Sequence, residues 1–86
     1  MVVSFYGSII EHTNGEKSYE PTDSLSVLAL TDELGCRFGV KFKEFLLNGE
    51  NCFFLINGKS IAAAGGLSTV LNPEDKIEIL PFIEAG

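Results

Sequence analysis

The chain has 86 residues, 45% of them apolar and 21% charged, with 12 acidic against six basic side chains and a net charge of −6. That length fits one small domain burying about 60–65% of its extended-chain surface, and the apolar content excludes a disordered chain. The acidic balance argues against a nucleic-acid partner, which needs a positive footprint, and is compatible with a protein partner that presents a basic groove.

The opening stretch "MVVSFYGSII" lacks the charged-then-apolar shape of a signal peptide, and no apolar run approaches the length of a membrane span. Val3, Phe5, Gly7 and Ile9 alternate with Val2, Ser4, Tyr6 and Ser8, which predicts a strand with one more apolar face. In "HTNGEK", Asn14-Gly15 predicts a tight hairpin turn. A second strand would then return over residues 17–20 and stop at Pro21.

The period changes in "TDSLSVLALTDELG", where Leu25, Val27, Leu28, Leu30 and Leu34 make a broad apolar stripe at helical spacing. Thr22 or Asp23 is placed to cap this helix, and Gly35 to end it. Phe38, Phe42, Phe45 and Leu46 fall at i, i+4, i+7 and i+8 and predict a second, shorter helix, its aromatic stripe in the core. Arg37, Lys41 and Lys43 around it read as a solvated face.

Asn48-Gly49 marks another turn, and "NCFFLINGKSI" returns to strand spacing. Cys52, Phe54 and Ile56 point one way, and Phe53, Leu55 and Asn57 the other. Asn57-Gly58 predicts a tight turn into a short strand over residues 59–61. "AAAGG" reads as a small-residue loop, "LSTVL" as a single helical turn, and "NPED" as the turn into a last strand, "KIEILPFI". The resulting order is strand, strand, helix, short helix, strand, short strand, strand. It predicts an α+β, β-grasp (ubiquitin-like) roll: a mixed sheet, first and last strands parallel neighbours, a helix across one face.

No enzyme constellation emerges along the way. His12 stands beside the first turn with no nucleophile or carboxylate pair to serve, and reads as a solvent-exposed loop histidine. "AAAGGLST" has no lysine after its glycines and is not a phosphate loop. Ser68 and Thr69 suit a local turn, and Glu74 and Asp75 a solvated one. Cys36 and Cys52 are too few for a disulfide framework or an iron–sulfur site. They read as buried, reduced thiols of a cytoplasmic protein, and with one histidine they give no metal site.

One feature is not explained by the core. If Cys52, Phe54, Ile56, Ile77 and Ile79 face the helix, then Phe53, Leu55 and Leu80 form an apolar patch on the open face, beside the last residues of the chain. Contiguous exposed apolar surface marks a partner site. The alternative is that the "AAAGG" loop covers Phe53 and Leu55.

The strand ending in Asn-Gly ("FFLING"), the loop, "GLSTVLNPEDKIEILP" and a short tail ending in glycine together resemble the MoaD/ThiS family of ubiquitin-like sulfur carriers, most closely the molybdopterin synthase small subunit. The specific match covers residues 53–86. The resemblance implies a single carrier domain over residues 1–86 with 82–86 as a flexible tail. It implies no enzyme of its own and no bound cofactor. An ATP-using activating enzyme, related to ubiquitin-activating enzymes, would adenylate Gly86, and the acyl-adenylate would become a thiocarboxylate. The sulfur would pass to a pterin precursor in a complex with a large catalytic subunit, or in other branches to a thiazole- or cysteine-forming enzyme. Phe53, Leu55, Leu80, Pro81, Phe82, Ile83 and Ala85 would dock on these partners.

The chemistry suits such an end. A carboxylate is a poor electrophile until it becomes a mixed anhydride with AMP, and a glycine adds no Cβ to block its approach to a pocket. Five extended residues from Phe82 span at most about 17 Å. The family usually ends Gly-Gly, whereas this chain has Ala85-Gly86, and "NPED" replaces the usual Gly-Asp turn. A covalent protein modifier using the same activated glycine, and a non-covalent ubiquitin-like module with an inert tail, are the alternative readings.

Overall fold

A computed structural model describes residues 1–22, 25–63 and 65–82. Strand β1 spans Val2–Phe5 and turns Val3 and Phe5 inward. The predicted strand does not run on to Ile9. Gly7 takes a φ of +55°, a conformation glycine adopts without steric cost, and the chain winds into a 3-10 helix over Gly7–Thr13. Ile9 still reaches the core. Asn14 and Gly15 form the predicted tight turn, with φ of +56° and +86°, and the Glu16 N–H donates to the Thr13 carbonyl at 3.1 Å. That turn closes the 3-10 helix instead of joining two long strands, and β2 is only Ser18–Tyr19.

Helix α1 covers Val27–Phe38. Its cap is Ser26, whose Oγ accepts the Ala29 N–H at 3.1 Å, and not Thr22, whose N–H donates to Glu33. Asp23, the other predicted cap, lies outside the described residues. The start is displaced because the chain at Ser26 is still extended and bonds across to the segment before the last strand. There the Val27 N–H donates to Thr69 O at 3.0 Å and the Leu71 N–H to Leu25 O at 2.9 Å. Val27, Leu30, Thr31 and Leu34, at i, i+3, i+4 and i+7, face the sheet, whereas Leu25 and Leu28, assigned to the apolar stripe above, are 74% and 47% exposed. Thr31 sits in the core because its hydroxyl donates to Leu28 O at 2.7 Å. Cys36 is exposed, against expectation: it lies two residues past Leu34, about 200° round the helix.

Gly35 does not end the helix. A Cβ there would lie 2.8 Å from Lys43 Cβ, so its function is close approach between α1 and α2, which spans Val40–Leu47. The stop is Gly39, with a φ of +114°. Helix α2 buries Phe42 and Leu46 as predicted. Phe5, Phe38 and Phe42 meet edge to face, with ring centroids 5.7–6.1 Å apart, the arrangement aromatic quadrupoles prefer. His12 is not a solvated loop residue: it lies 4.3 Å from the Phe45 ring and stacks on Phe42 at 5.5 Å.

Strand β3 is Cys52–Ile56, β4 is Lys59–Ser60 and β5 is Lys76–Pro81. Asn57 and Gly58, with φ of +52° and +85°, make the tight turn between β3 and β4. The "LSTVL" turn falls earlier than predicted, as a 3-10 turn over Gly66–Ser68. Asp75 is more than solvated: its carboxylate accepts the Asn57 Nδ2–H at 2.9 Å and the Asn72 N–H at 2.8 Å, fixing the "NPED" turn. Sheet order is β2-β1-β5-β3-β4, with β1 and β5 parallel and β3 antiparallel to β5. The sheet packs its inner face on both helices, and Ile77, Ile79, Phe54, Val3 and Phe5 join Leu30, Leu34 and Phe42 in one core. This is the β-grasp layout.

Candidate functional site

The register of β3 on β5 decides what faces away from the helices. Phe54 pairs with Ile79 and Ile56 with Ile77, all on the inner side, so the intervening pairs Phe53↔Leu80 and Leu55↔Glu78 face outward. Phe53, Leu55 and Leu80 are half-buried, and the Phe82 ring, 59% exposed, meets Phe53 edge-on at 5.6 Å. Phe53, Leu55 and Leu80 share the outward side, as the alternation predicted, and the ring contact with Phe53 adds Phe82 to the same apolar patch. Phe53 and Leu55 keep part of their surface exposed, and Ala62 and Gly66 of the "AAAGG" loop line a cleft together with Phe53. Glu78 stands within the patch, and composition gave no reason to single it out; its signal was its place between Ile77 and Ile79 in the strand alternation.

Pro81 stands apart from the others. It pairs with Cys52 and so shares the inner side with Ile79. Strand β1 ends at Phe5, and the last bond from that side of the sheet is the Tyr6 N–H donating to Ile79 O at 3.2 Å. Beyond it β5 has no neighbour there, so a residue without an N–H costs no ladder bond. Ile83, Ala85 and Gly86, expected to carry the docking and the chemistry, lie outside the described residues.

A cleft of about 520 Å³ adjoins the patch, lined by Leu46, Leu47 and Gly49 on one side, Ile61, Ala62 and Leu67 on the other, and Cys52, Phe53, Phe54 and Phe82 between. Sequence spacing gave no sign of it. Its walls come from the C-terminal end of α2 and from the 3-10 turns at Ile61–Ala63 and Gly66–Ser68, which only the tertiary fold brings together. Burial among these groups pushes the Cys52 thiol up to about 11, which keeps it protonated and unreactive. Among the described residues no group of three or more His, Cys, Asp or Glu could hold a metal ion, and no helix is long and apolar enough to cross a membrane.

A mixed five-stranded sheet in this order, helices on one face and an apolar patch beside the end of the last strand on the other, defines a ubiquitin-like β-grasp protein. The chain belongs to the ThiS family, whose model matches residues 3–86, and so to small carrier proteins and not to catalysts. Solved structures share the fold. A chain of the Amycolatopsis orientalis BexX/CysO complex superposes with a TM-score of 0.81 at 24% identity, covering 99% of this chain and 98% of that one. Mycobacterium tuberculosis CysO gives 0.82 at 22% identity, covering 95% and 98%. The small archaeal modifier protein 1 (SAMP1) of Methanosarcina acetivorans gives 0.76 at 25% identity, covering 99% and 94%. No curated protein matches the chain.

Proposed function

We propose that this protein carries sulfur on the C-terminal carboxylate of Gly86. The observation that carries this reading is the ThiS match itself, which runs through Ala85 and Gly86. In the proposed sequence the Gly86 carboxylate attacks the α-phosphate of ATP on an activating enzyme and releases pyrophosphate. Sulfide then adds to the acyl carbon of the adenylate, the bond to AMP breaks, and a thiocarboxylate remains. ATP belongs to the partner in this scheme. The apolar patch of Phe53, Leu55, Leu80 and Phe82 docks first on that enzyme and then on the sulfur acceptor, with Ile83 and Ala85 threading toward the reacting centre. Leu80, near the end of β5, and Phe82, just past it, support this role by their position.

The molybdopterin precursor is the acceptor supported by the resemblance of "GLSTVLNPEDKIEILP". A second reading, covalent attachment to other proteins through the same activated glycine, is supported by the likeness to a small archaeal modifier protein. There an amine displaces AMP instead of sulfide. Intact mass after incubation with ATP, an activating enzyme and a sulfur donor tests both. One oxygen replaced by sulfur supports the carrier, and transfer of that sulfur to a pterin precursor supports its destination. A conjugate supports the modifier, and unchanged protein contradicts both.

A further inference from the structure

Cys52, Phe53 and Phe54 are consecutive residues of β3, yet all three line the same cleft. Neighbours in a strand point to opposite faces, so a cleft touching all three runs along the strand's edge. Strand β4 pairs only with Leu55 and Ile56, and past Ser60 the chain turns off into the 3-10 segment Ile61–Ala63. Among the described residues no strand continues along Cys52–Phe54 on that side. The Phe82 N–H donates to Asn51 O at 3.1 Å and the Asn57 N–H to Lys76 O at 2.8 Å, which fixes the alternation of the ladder: Phe53 and Leu55 turn their backbone groups to β5. Both backbone groups of Cys52 and the N–H of Phe54 therefore turn into the cleft.

We propose that this edge accepts an extended segment of a partner protein as a sixth strand of the sheet, apolar at alternate positions and carrying Lys or Arg at the end that meets Glu44 and Glu50. The backbone groups select an extended main chain, and the apolar walls select its side chains; main-chain bonds and alternate-side-chain pockets are how strand addition divides affinity from specificity. Native edges are blunted by lysine, proline or a bulge, and Cys52–Phe54 contains none of these. Glu44 lies three residues before Leu47 on the same helix face, and Glu50 follows Gly49. Both are exposed, and the two ion pairs among the described residues engage neither.

A second copy of this chain is the poorer occupant. An edge at the floor of a groove cannot reach the floor of the same groove on its copy, and each copy carries a net charge of −6. Strand addition here goes beyond sulfur transport and does not depend on activation of Gly86.

The probe is a short capped peptide with valine at alternate positions and a lysine pair at one end, compared with its analogue methylated on the pairing amides. Amide hydrogen exchange, read residue by residue, should slow by about tenfold or more at Cys52 and Phe54, while Phe53 and Leu55, already bonded to β5, stay unchanged. The methylated peptide should not produce this protection. Leu67→Ser, at an exposed position, should weaken binding by about tenfold without moving the melt, and Glu44→Lys with Glu50→Lys should abolish the advantage of the lysine-ended peptide. Equal binding of the methylated peptide, perturbation confined to Leu55 and Leu80, or a dimer of this chain that protects Cys52 and Phe54 in the peptide's absence would each overturn the proposal.

Discussion

Cys52 sits 5% exposed on the inner side of β3, and burial raises its thiol from an ordinary 9.0 to about 11. Burial favours the neutral form, so the native state holds this proton more tightly than the unfolded chain. The associated stability is full below 9.0 and is lost as pH rises from there toward about 11, because only the unfolded chain releases its proton over that interval. At about pH 8 a small alkylating reagent should modify Cys36, which is exposed, and spare Cys52, with both reacting in denaturant. Equal native rates, read by mass, would show that the cleft does not shield Cys52. Sequence spacing made the two thiols look alike, since each has apolar neighbours. What separates them is place: Cys52 lies on the inner side of β3, whereas Cys36 lies about 200° round α1 from the buried Leu34. Leu28 is outside the core because it lies about 100° round the helix from Val27, off the face shared by Leu30, Thr31 and Leu34. His12 was missed for a related reason: its stacking on Phe42 and Phe45 depends on α2, some thirty residues away in sequence.

Among the elements, α2, β3, β5 and the tight turn at Asn57-Gly58 were legible because each is a short, strongly periodic run bounded by its own turn signal. The first predicted hairpin was half right. Asn14-Gly15 has the expected turn geometry, but alternation through Ile9 concealed the break at Gly7, since a 3-10 helix also brings Ile9 inward. Gly35 was read as a helix stop when its role is tertiary. Alanine inside a helix is normally favoured over glycine by up to about 1 kcal/mol. Here the Cβ would lie 2.8 Å from Lys43 Cβ, so Gly35→Ala should instead destabilise by about 1–3 kcal/mol as the helices are forced apart. A denaturation midpoint that rises would refute that account of the α1–α2 contact. Ile77, fully buried between β1 and β3, leaves a cavity when truncated, and Ile77→Ala should cost about 2–5 kcal/mol. A melt shifted by only a degree or so would count against this core.

Across the whole molecule, the proposed docking role assigns association to one face of the sheet, while the other face holds the core. The outer face holds Phe53, Leu55 and Leu80, half-buried, with the exposed Phe82 beside them. Leu80→Asp should leave the circular dichroism spectrum and melt nearly unchanged while weakening binding to the activating enzyme or acceptor by about 2 kcal/mol or more, as anchor residues do. Unfolding of this variant would mean that the outward side of β5 belongs to the core. The patch was legible in sequence from strand alternation alone. The cleft beside it was not, because its walls come from segments separated in the chain. The central claim, however, rests on the last residue. Chain ends carry few stabilising contacts, so deleting Gly86, or adding one bulky residue after it, should leave the melting temperature unchanged and abolish sulfur loading. On the proposed reading, deletion withdraws the carboxylate from the activating site, where reacting atoms must approach within about 3–3.5 Å, and extension converts Gly86 into an unreactive amide. The deciding measurement is the intact mass of the extended protein after incubation with ATP, activating enzyme and sulfur donor, beside the chain ending at Gly86. Oxygen replaced by sulfur in the chain ending at Gly86 alone is the predicted result, and sulfur on the untrimmed, extended chain would contradict it.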